Sequence, residues 1–285
     1  MARMILWMGL LTVFGAPATR AQAAVYAATI FPLSTWVAEL TGNAADIVTL
    51  LPAGANPHTF EPVPATLKAL SRARLLVSVG AGLDGWATRL LGGTAEGVAT
   101  LVLGDHVPLL PLEEEQGRDP HFWLDPILVR DYALPVLVDV LCRIEPERAP
   151  MYRRRASQWH DELSQLDARM RERLAPVRGR AYVAVHSAWR YFARRYGLVE
   201  AATVEPIPGR ELSAKEMVVL VEEVRRSGAR ALVVEPFVFS KLARQIAGET
   251  GVRLVTVDPF GSGSLIGGYT RLLEENARRF VEALQ

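Results

Sequence analysis

PERAPMYRRRASQWHDELSQLDARMRERL, residues 146–174, is the stretch around which the rest of the chain is organised. Its apolar residues recur at spacings of 4, 3, 4, 3 and 4 against dense charge: Tyr152, Ala156, Trp159, Leu163, Leu166 and Met170. That period is typical of one face of an α-helix. Pro146 at the start and Pro176 just past the end are typical helix boundaries. The stretch predicts one helix about 40 Å long, at about 1.5 Å per residue.

Short β-branched runs alternate with helical stretches on both sides of this helix. Before it, the pattern predicts strands at 25–30, 47–51, 75–79 and 100–103 and helices at 34–41, 64–71 and 83–91. After it, the pattern predicts strands at 182–185, 198–204, 231–234 and 254–257 and helices at 189–196, 213–227, 240–250 and 269–284. The sequence therefore predicts two α/β lobes with mainly parallel sheets, joined by one long, rigid helix.

The N-terminus has the pattern of an export signal. Arg3 precedes an apolar run from Met4 to about Ala16, and Ala21-Gln22-Ala23 supplies the small residues of a cleavage site. The run is shorter than the roughly 20 residues of a membrane-spanning helix, and no cysteine at the cleavage site offers a lipid anchor. We expect a periplasmic protein divided into a signal peptide (1–23), an N-terminal lobe (24–145), a linker helix (146–175) and a C-terminal lobe (176–285).

Composition excludes several classes of function. With 32 basic and 31 acidic residues, the formal net charge is +1, which predicts no binding to nucleic acid. The single cysteine, Cys142, excludes an internal disulfide and a multi-cysteine zinc site. A metal site in this chain would therefore use nitrogen and oxygen ligands.

Three of the five histidines occupy suggestive positions. His58 lies in Asn56-Pro57-His58-Thr59-Phe60-Glu61-Pro62, a turn after the second predicted strand. His121 lies in Asp119-Pro120-His121-Phe122-Trp123-Leu124-Asp125-Pro126, before a predicted helix. His186 follows the strand at 182–185 directly, as Asp258 follows the strand at 254–257. His106 and His160 are interpreted as surface residues.

These four residues suggest a site between the lobes. Ligands of open parallel sheets bind at the carboxyl ends of the strands, and each half of the chain supplies two of the four. Three imidazoles and one carboxylate suit zinc in a tetrahedron, whereas calcium and magnesium prefer oxygen. Their separations are too long for a local metal motif, and a loop histidine or a turn-forming aspartate has ordinary structural roles. Asp125 and Glu61 are candidates for orienting the imidazoles.

The quoted segments resemble the metal-binding solute-binding proteins of zinc and manganese ABC importers. Similar segments follow in order in Val185-His186-Ser187-Ala188-Trp189 and in Val257-Asp258-Pro259. The resemblance implies two α/β lobes on a rigid helix, with His58, His121, His186 and Asp258 as metal ligands. Members that favour manganese often have a carboxylate at the position of His186, so the resemblance favours zinc. The acidic stretch 112–118 stands where many zinc-importing members have a long histidine-rich loop.

The function that the resemblance implies is capture of one Zn²⁺ per chain and its delivery to an ABC transporter permease driven by a cytoplasmic ATPase. The chain is expected to be a monomer and not an enzyme, and a periplasmic metallochaperone is a further partner to consider. Three alternatives stay open: a manganese- or iron-binding protein of the same family, a zinc-dependent hydrolase with Asp258 as the base, and a binding protein for an organic solute.

Overall fold

Two four-stranded sheets, both entirely parallel, form the frame of the protein. This computed structural model describes residues 26–94, 97–112, 117–204, 213–236, 241–264 and 266–285. The predicted signal peptide and the acidic run 113–115 lie outside the described residues. No helix within them combines the length and the apolar character that crossing a membrane requires.

The strand order is the same in both sheets. The N-terminal sheet has the order β2-β1-β3-β4, and the C-terminal sheet has the order β6-β5-β7-β8. The strands are β1 Tyr26–Ala28, β2 Ile47–Thr49, β3 Leu75–Ser78, β4 Ala99–Val102, β5 Ala181–Ala184, β6 Val199–Thr203, β7 Ala231–Val234 and β8 Arg253–Thr256. Residues of the inner strands β1, β3 and β7 are all buried, as expected for parallel strands covered on both faces. The prediction of two α/β lobes is confirmed.

Helices cover the sheets and connect them. They are α1 Phe31–Thr41, α2 Pro64–Leu70, α3 Gly85–Thr94, α4 Pro126–Leu128, α5 Leu134–Ile144, α6 Ala149–Leu174, α7 Arg190–Tyr196, α8 Ala214–Ser227, α9 Lys241–Thr250 and α10 Gly268–Leu284. A π-helical turn, Val129–Ala133, links α4 to α5. The helix expected after His121, for which no bounds were predicted, corresponds to α4, and α5 follows it. Pro126 and Pro135 both stand in the first turn of a helix, where a missing N–H breaks no hydrogen bond.

The long helix predicted from the apolar stripe is α6. It begins at Ala149, after a 3₁₀ turn at Pro146–Arg148, and ends at Leu174. Tyr152, Trp159, Leu163, Leu166 and Met170 of the stripe are at most 3% exposed. The stripe faces the interior, and the prediction that one long helix joins the lobes is confirmed.

One hydrophobic core extends through both lobes. Trp36 of α1 packs against Trp159 of α6 and Tyr269 of α10, with ring centroids 6.2 and 5.5 Å away. A second, smaller core in the C-terminal lobe includes Val183, Leu220, Leu232 and Ile246. Because the larger core is shared, the lobes are held together by apolar burial, which restricts their relative motion.

The C-terminal helix α10 returns to the N-terminal lobe. A Cβ atom at Gly268 would lie 2.9 Å from Thr35 Cγ2, so only glycine permits this approach of α10 to α1. The Tyr269 hydroxyl donates to the Trp123 carbonyl at 2.6 Å, and Trp123 Nε1 donates to the Pro259 carbonyl at 2.7 Å. The two lobes therefore contact each other through buried aromatic groups, and the domain boundaries at 145 and 175 stay a prediction.

A buried carboxylate ties the start of α6 to the first strand. The Tyr26 hydroxyl donates to Glu145 Oε2 at 2.7 Å, the Tyr152 hydroxyl donates to the same oxygen, and Arg148 lies 3.1 Å away. Burial acts to raise the pKa of Glu145, but the two tyrosine hydrogen bonds and the charge of Arg148 outweigh it and hold this pKa below its usual value.

We predict that Glu145→Gln destabilises the protein at neutral pH by about 1.5 to 3 kcal/mol, the range for hydrogen bonds to a charged group. A carboxyl whose pKa is lower in the folded state stabilises it above the unfolded pKa of about 4.3. That contribution disappears as the pH falls through the folded-state pKa. Urea unfolding from pH 7 to pH 3 should therefore show the wild type converging on the variant in acid.

The exposed Glu147→Gln is the matched control, and we expect it to leave the free energy of unfolding nearly unchanged. A difference between wild type and Glu145→Gln that is constant across this pH range would contradict the prediction.

Candidate metal centre

Three histidine side chains converge between the sheets. His58 lies in the loop after β2, His121 precedes α4, and His186 lies two residues after β5. Each offers one ring nitrogen, and these three atoms lie within 4.8 Å of one another. The ring centroids are 5.6 Å apart for His58 and His121, 4.9 Å for His58 and His186, and 5.0 Å for His121 and His186. The structure therefore brings together the three histidines singled out in the sequence.

The loops that carry His58 and His121 have the same local design. The His58 backbone N–H donates to the Asn56 side chain at 2.9 Å, and that of His121 donates to the Asp119 side chain at 3.0 Å. In each case an Asn or Asp side chain closes a turn on the residue two positions later, across a proline that fixes the backbone. Each imidazole thus projects from a turn that its own sequence stabilises.

Carboxylates stand behind two of the three imidazoles. Asp119 Oδ1 lies 2.8 Å from Nδ1 of His121, and both Glu235 oxygens lie 3.3 Å from Nδ1 of His186. Asp119 is 0% and Glu235 2% exposed. A carboxylate at Nδ1 accepts a hydrogen bond from Nδ1–H, which keeps the proton on that nitrogen and leaves the lone pair on Nε2. Both rings are therefore oriented to present Nε2 to a cation.

Two ring nitrogens in the centre lack a hydrogen bond to any residue that the structure describes. Nε2 of His58 and Nε2 of His121 are buried, and neither has a hydrogen-bond partner among the described residues. Buried polar atoms are nearly always paired, and an unpaired one is destabilising. A metal ion bound to these lone pairs would satisfy both atoms at once, so the donor set fits a divalent metal.

Burial and neighbouring charge act differently on two of the histidines. Burial, with the adjacent His121 and His186, lowers the pKa of His58 to about 2, so its ring is neutral at physiological pH. Burial also acts to lower the pKa of His186, but the charge and the hydrogen bond of Glu235 outweigh it and raise this pKa. His58 thus offers a lone pair, while the surroundings of His186 favour positive charge.

Asp258 lies at the same sheet edge but outside the group of three histidines. It follows β8 by two residues, and its Oδ1 accepts the backbone N–H groups of Phe260 and Gly261, both at 2.9 Å. Asp258 also lines a cavity of about 290 Å³ between residues 49–55 and 258–263. Its role as the fourth ligand stays a prediction.

The sequence interpretation named the wrong carboxylates as partners of the imidazoles. Asp125 accepts the Ile127 N–H at the start of α4 and lies 3.2 Å from Arg195, and Glu61 is exposed. Asp119 and Glu235 take that role instead. The place of Glu235 beside His186 could have been inferred from the sequence, because Glu235 directly follows β7 and β7 pairs with β5, the strand that precedes His186.

The two histidines interpreted as surface residues lie outside the cluster. The His160 side chain is 51% exposed on α6, and His106 is also exposed. They are therefore suitable control positions for the three clustered histidines.

Comparisons with known proteins bear on this arrangement. Residues 27–283 match the family model described as zinc-uptake complex component A, periplasmic (ZnuA). The manganese-binding lipoprotein MntA of Halalkalibacterium halodurans is 29% identical over 251 residues, which cover 86% of this chain and 83% of MntA. The zinc-binding protein AdcA of Streptococcus pyogenes serotype M3 is 26% identical over 81% of this chain, and the chain spans only 49% of AdcA.

A solved structure extends the similarity to three dimensions. A crystal structure of ZnuA superposes with a TM-score of 0.83 at 26% identity, covering 93% of this chain and 100% of that one. The match therefore includes both lobes and the helix between them. By sequence and by fold, the chain belongs to the ZnuA family of metal-binding, solute-binding proteins of ABC importers.

Proposed function

We propose that the protein captures one Zn²⁺ in the periplasm and delivers it to an ABC transporter permease driven by a cytoplasmic ATPase. The observation that carries this proposal is the cluster of three imidazole nitrogens, two of them on rings held by a carboxylate. Binding and release make and break no covalent bond of a substrate, so no catalytic residue is assigned.

The proposed ligands are His58, His121, His186 and Asp258. Three nitrogens and one carboxylate oxygen match the tetrahedral set that zinc adopts in proteins. Because Oδ1 of Asp258 already accepts two backbone N–H groups, we expect Asp258 to bind the ion through Oδ2. The ligand imidazoles must be neutral, and the low pKa of His58 keeps that ring ready for the ion.

Zinc is the proposed cargo, although relatives are named for two metals. MntA is described as manganese-binding and AdcA as zinc-binding. Manganese prefers oxygen ligands, and divalent ions bind nitrogen more strongly from manganese through iron towards zinc. A site with three imidazoles and one carboxylate therefore favours zinc over manganese or iron.

A zinc-dependent hydrolase is the competing function, and one observation favours it. Asp258 lies outside the histidine group, where a carboxylate could serve as the base for a metal-bound water. The carrier is preferred because the family consists of metal-binding transport proteins.

We predict that the exported protein binds one zinc per chain and that the His58→Ala, His121→Ala, His186→Ala triple variant binds none. Removing all three nitrogens leaves at most one carboxylate, too few ligands for a stable site. Metal content by mass spectrometry after incubation with zinc, manganese and iron together gives both the stoichiometry and the preference.

The His106→Ala, His160→Ala double variant is the control for loss of imidazoles as such, and it should retain the full zinc content. Unchanged zinc in the triple variant, or loading of the wild type with manganese alone, would contradict the proposed site.

We predict that Asp119→Asn and Glu235→Gln each weaken zinc binding about 10- to 100-fold, the usual effect of removing a carboxylate behind a ligand imidazole. Both variants keep the shape of the side chain and remove the charge that orients the ring and favours a cation. Competition with a fluorescent zinc chelator measures the affinities. Glu61→Gln is the matched control. An equal loss of zinc affinity in that variant would mean that removal of any one negative charge weakens binding, which would contradict a specific role of Asp119 and Glu235.

We predict that Asp258→Asn separates carrier from hydrolase. As the fourth ligand of a carrier, Asp258 contributes a charged oxygen, so the variant should bind zinc at least about tenfold more weakly. If Asp258 is instead the base of a hydrolase, Asp258→Asn should leave zinc affinity unchanged and abolish cleavage of an activated ester by the zinc-loaded protein. Unchanged affinity together with such activity in the wild type would replace the carrier by the hydrolase.

A further inference from the structure

The three clustered histidines differ in how firmly they are held. His121 is 3% exposed and the His186 side chain 10% exposed, and each has a carboxylate at Nδ1. His58 lies in a loop whose residues 52–54 and 59 are exposed. None of the described side chains forms a hydrogen bond with the His58 ring. The position of His58 must therefore be fixed through its neighbours in the loop.

Trp86 contacts the loop on both sides of His58. Its Nε1–H donates to the Pro57 carbonyl at 3.3 Å. Its ring lies edge-on to that of Phe60, with centroids 4.8 Å apart and an interplanar angle of 73°. Trp86 is only 5% exposed, so both contacts are shielded from water. One indole thus holds the residue before His58 and the residue two positions after it.

The helix that carries Trp86 is itself anchored to the sheet. Asp84, just before α3, is 1% exposed and accepts hydrogen bonds from the Thr29 hydroxyl and the Val79 N–H, both at 2.6 Å. Thr29 follows β1 and Val79 follows β3, so Asp84 fixes the start of α3 to the carboxyl edge of two central strands. Trp86 is therefore positioned by buried hydrogen bonds at the carboxyl edge of the N-terminal sheet.

We propose that Trp86 is a positioning residue for His58 and sets the rate at which bound metal leaves the site. It holds the Pro57 carbonyl and the Phe60 ring, and through them it keeps the His58 imidazole against the other two. His58 is then the histidine ligand that detaches first, because its loop can move without disturbing a buried carboxylate. This inference rests on the proposed metal site.

The test compares release of zinc from three variants, using stopped-flow transfer to an excess of chelator. Trp86→Phe keeps an aromatic ring and removes the N–H donor, which should accelerate release roughly fivefold. Trp86→Ala removes the ring contact as well and should accelerate it roughly 30-fold. Phe60→Leu removes only the ring pair and should give a smaller change than Trp86→Ala.

Leu220→Ala is the control for loss of buried apolar contacts as such, because Leu220 of α8 is 6% exposed and lies in the smaller core of the C-terminal lobe, apart from the shared core. Its zinc release should equal that of the wild type, even where urea unfolding shows that it is less stable. Wild-type release from Trp86→Ala, or equal acceleration in Leu220→Ala, would overturn the positioning role.

A second measurement needs no metal. Diethyl pyrocarbonate modifies accessible imidazoles, and peptide mass spectrometry gives the rate at each histidine, with the exposed His160 as internal reference. We expect His58 to react several times faster in both Trp86 variants than in the wild type, while His121 and His186 keep their rates. An unchanged His58 rate would overturn the proposal. If the wild type binds no zinc while His58 still reacts faster in the Trp86 variants than in the wild type, the proposed function alone would be contradicted.

Discussion

The hydrophobic core shared by the two lobes is the constraint on which the site depends. Trp36, Trp159 and Tyr269 come from three helices in different parts of the chain and meet at one point between the sheets. Their burial fixes the distance between two sheet edges that no covalent bond links directly. Segments separated by more than 60 residues can then deliver imidazoles to within 4.8 Å of one another. Such preorganisation lowers the entropy that a ligand must otherwise offset on binding.

The charged groups around the three histidines make the site suitable for a cation. Burial disfavours the charged form of His58 and of His186 and so acts to lower the pKa of both rings, and for His58 that effect prevails. At His186 the adjacent Glu235 reverses it. A buried divalent ion requires compensating negative charge, which Asp119 and Glu235 provide behind the ligands. The same two side chains select the ring nitrogen that faces the ion, so charge balance and orientation come from the same groups.

Periodic features of the structure could be predicted from the sequence, and non-periodic ones could not. The alternating runs located all eight described strands to within a few residues, and the stripe on α6 indicated the helix that joins the lobes. The three histidines could be named because they sit next to prolines or strand ends. The distance of Asp258 from them depends on loop geometry, which has no period. The contacts of Asp119 and Trp86 depend on side-chain direction, and a single sequence carries no signal for that. Glu235 differs, because its position directly after β7 places it beside the strand that leads to His186.

The close approach of α10 to α1 has a consequence for how such proteins can diverge. Gly268 and Thr35 belong to opposite ends of the chain, yet neither can enlarge without displacing the other. The lobes therefore cannot be exchanged between distant relatives as independent modules. A recombinant that joined the first lobe of one protein to the second lobe of another would combine helix surfaces never selected to fit. Inheritance of the two halves is coupled at this contact, and changes there must occur in matched pairs.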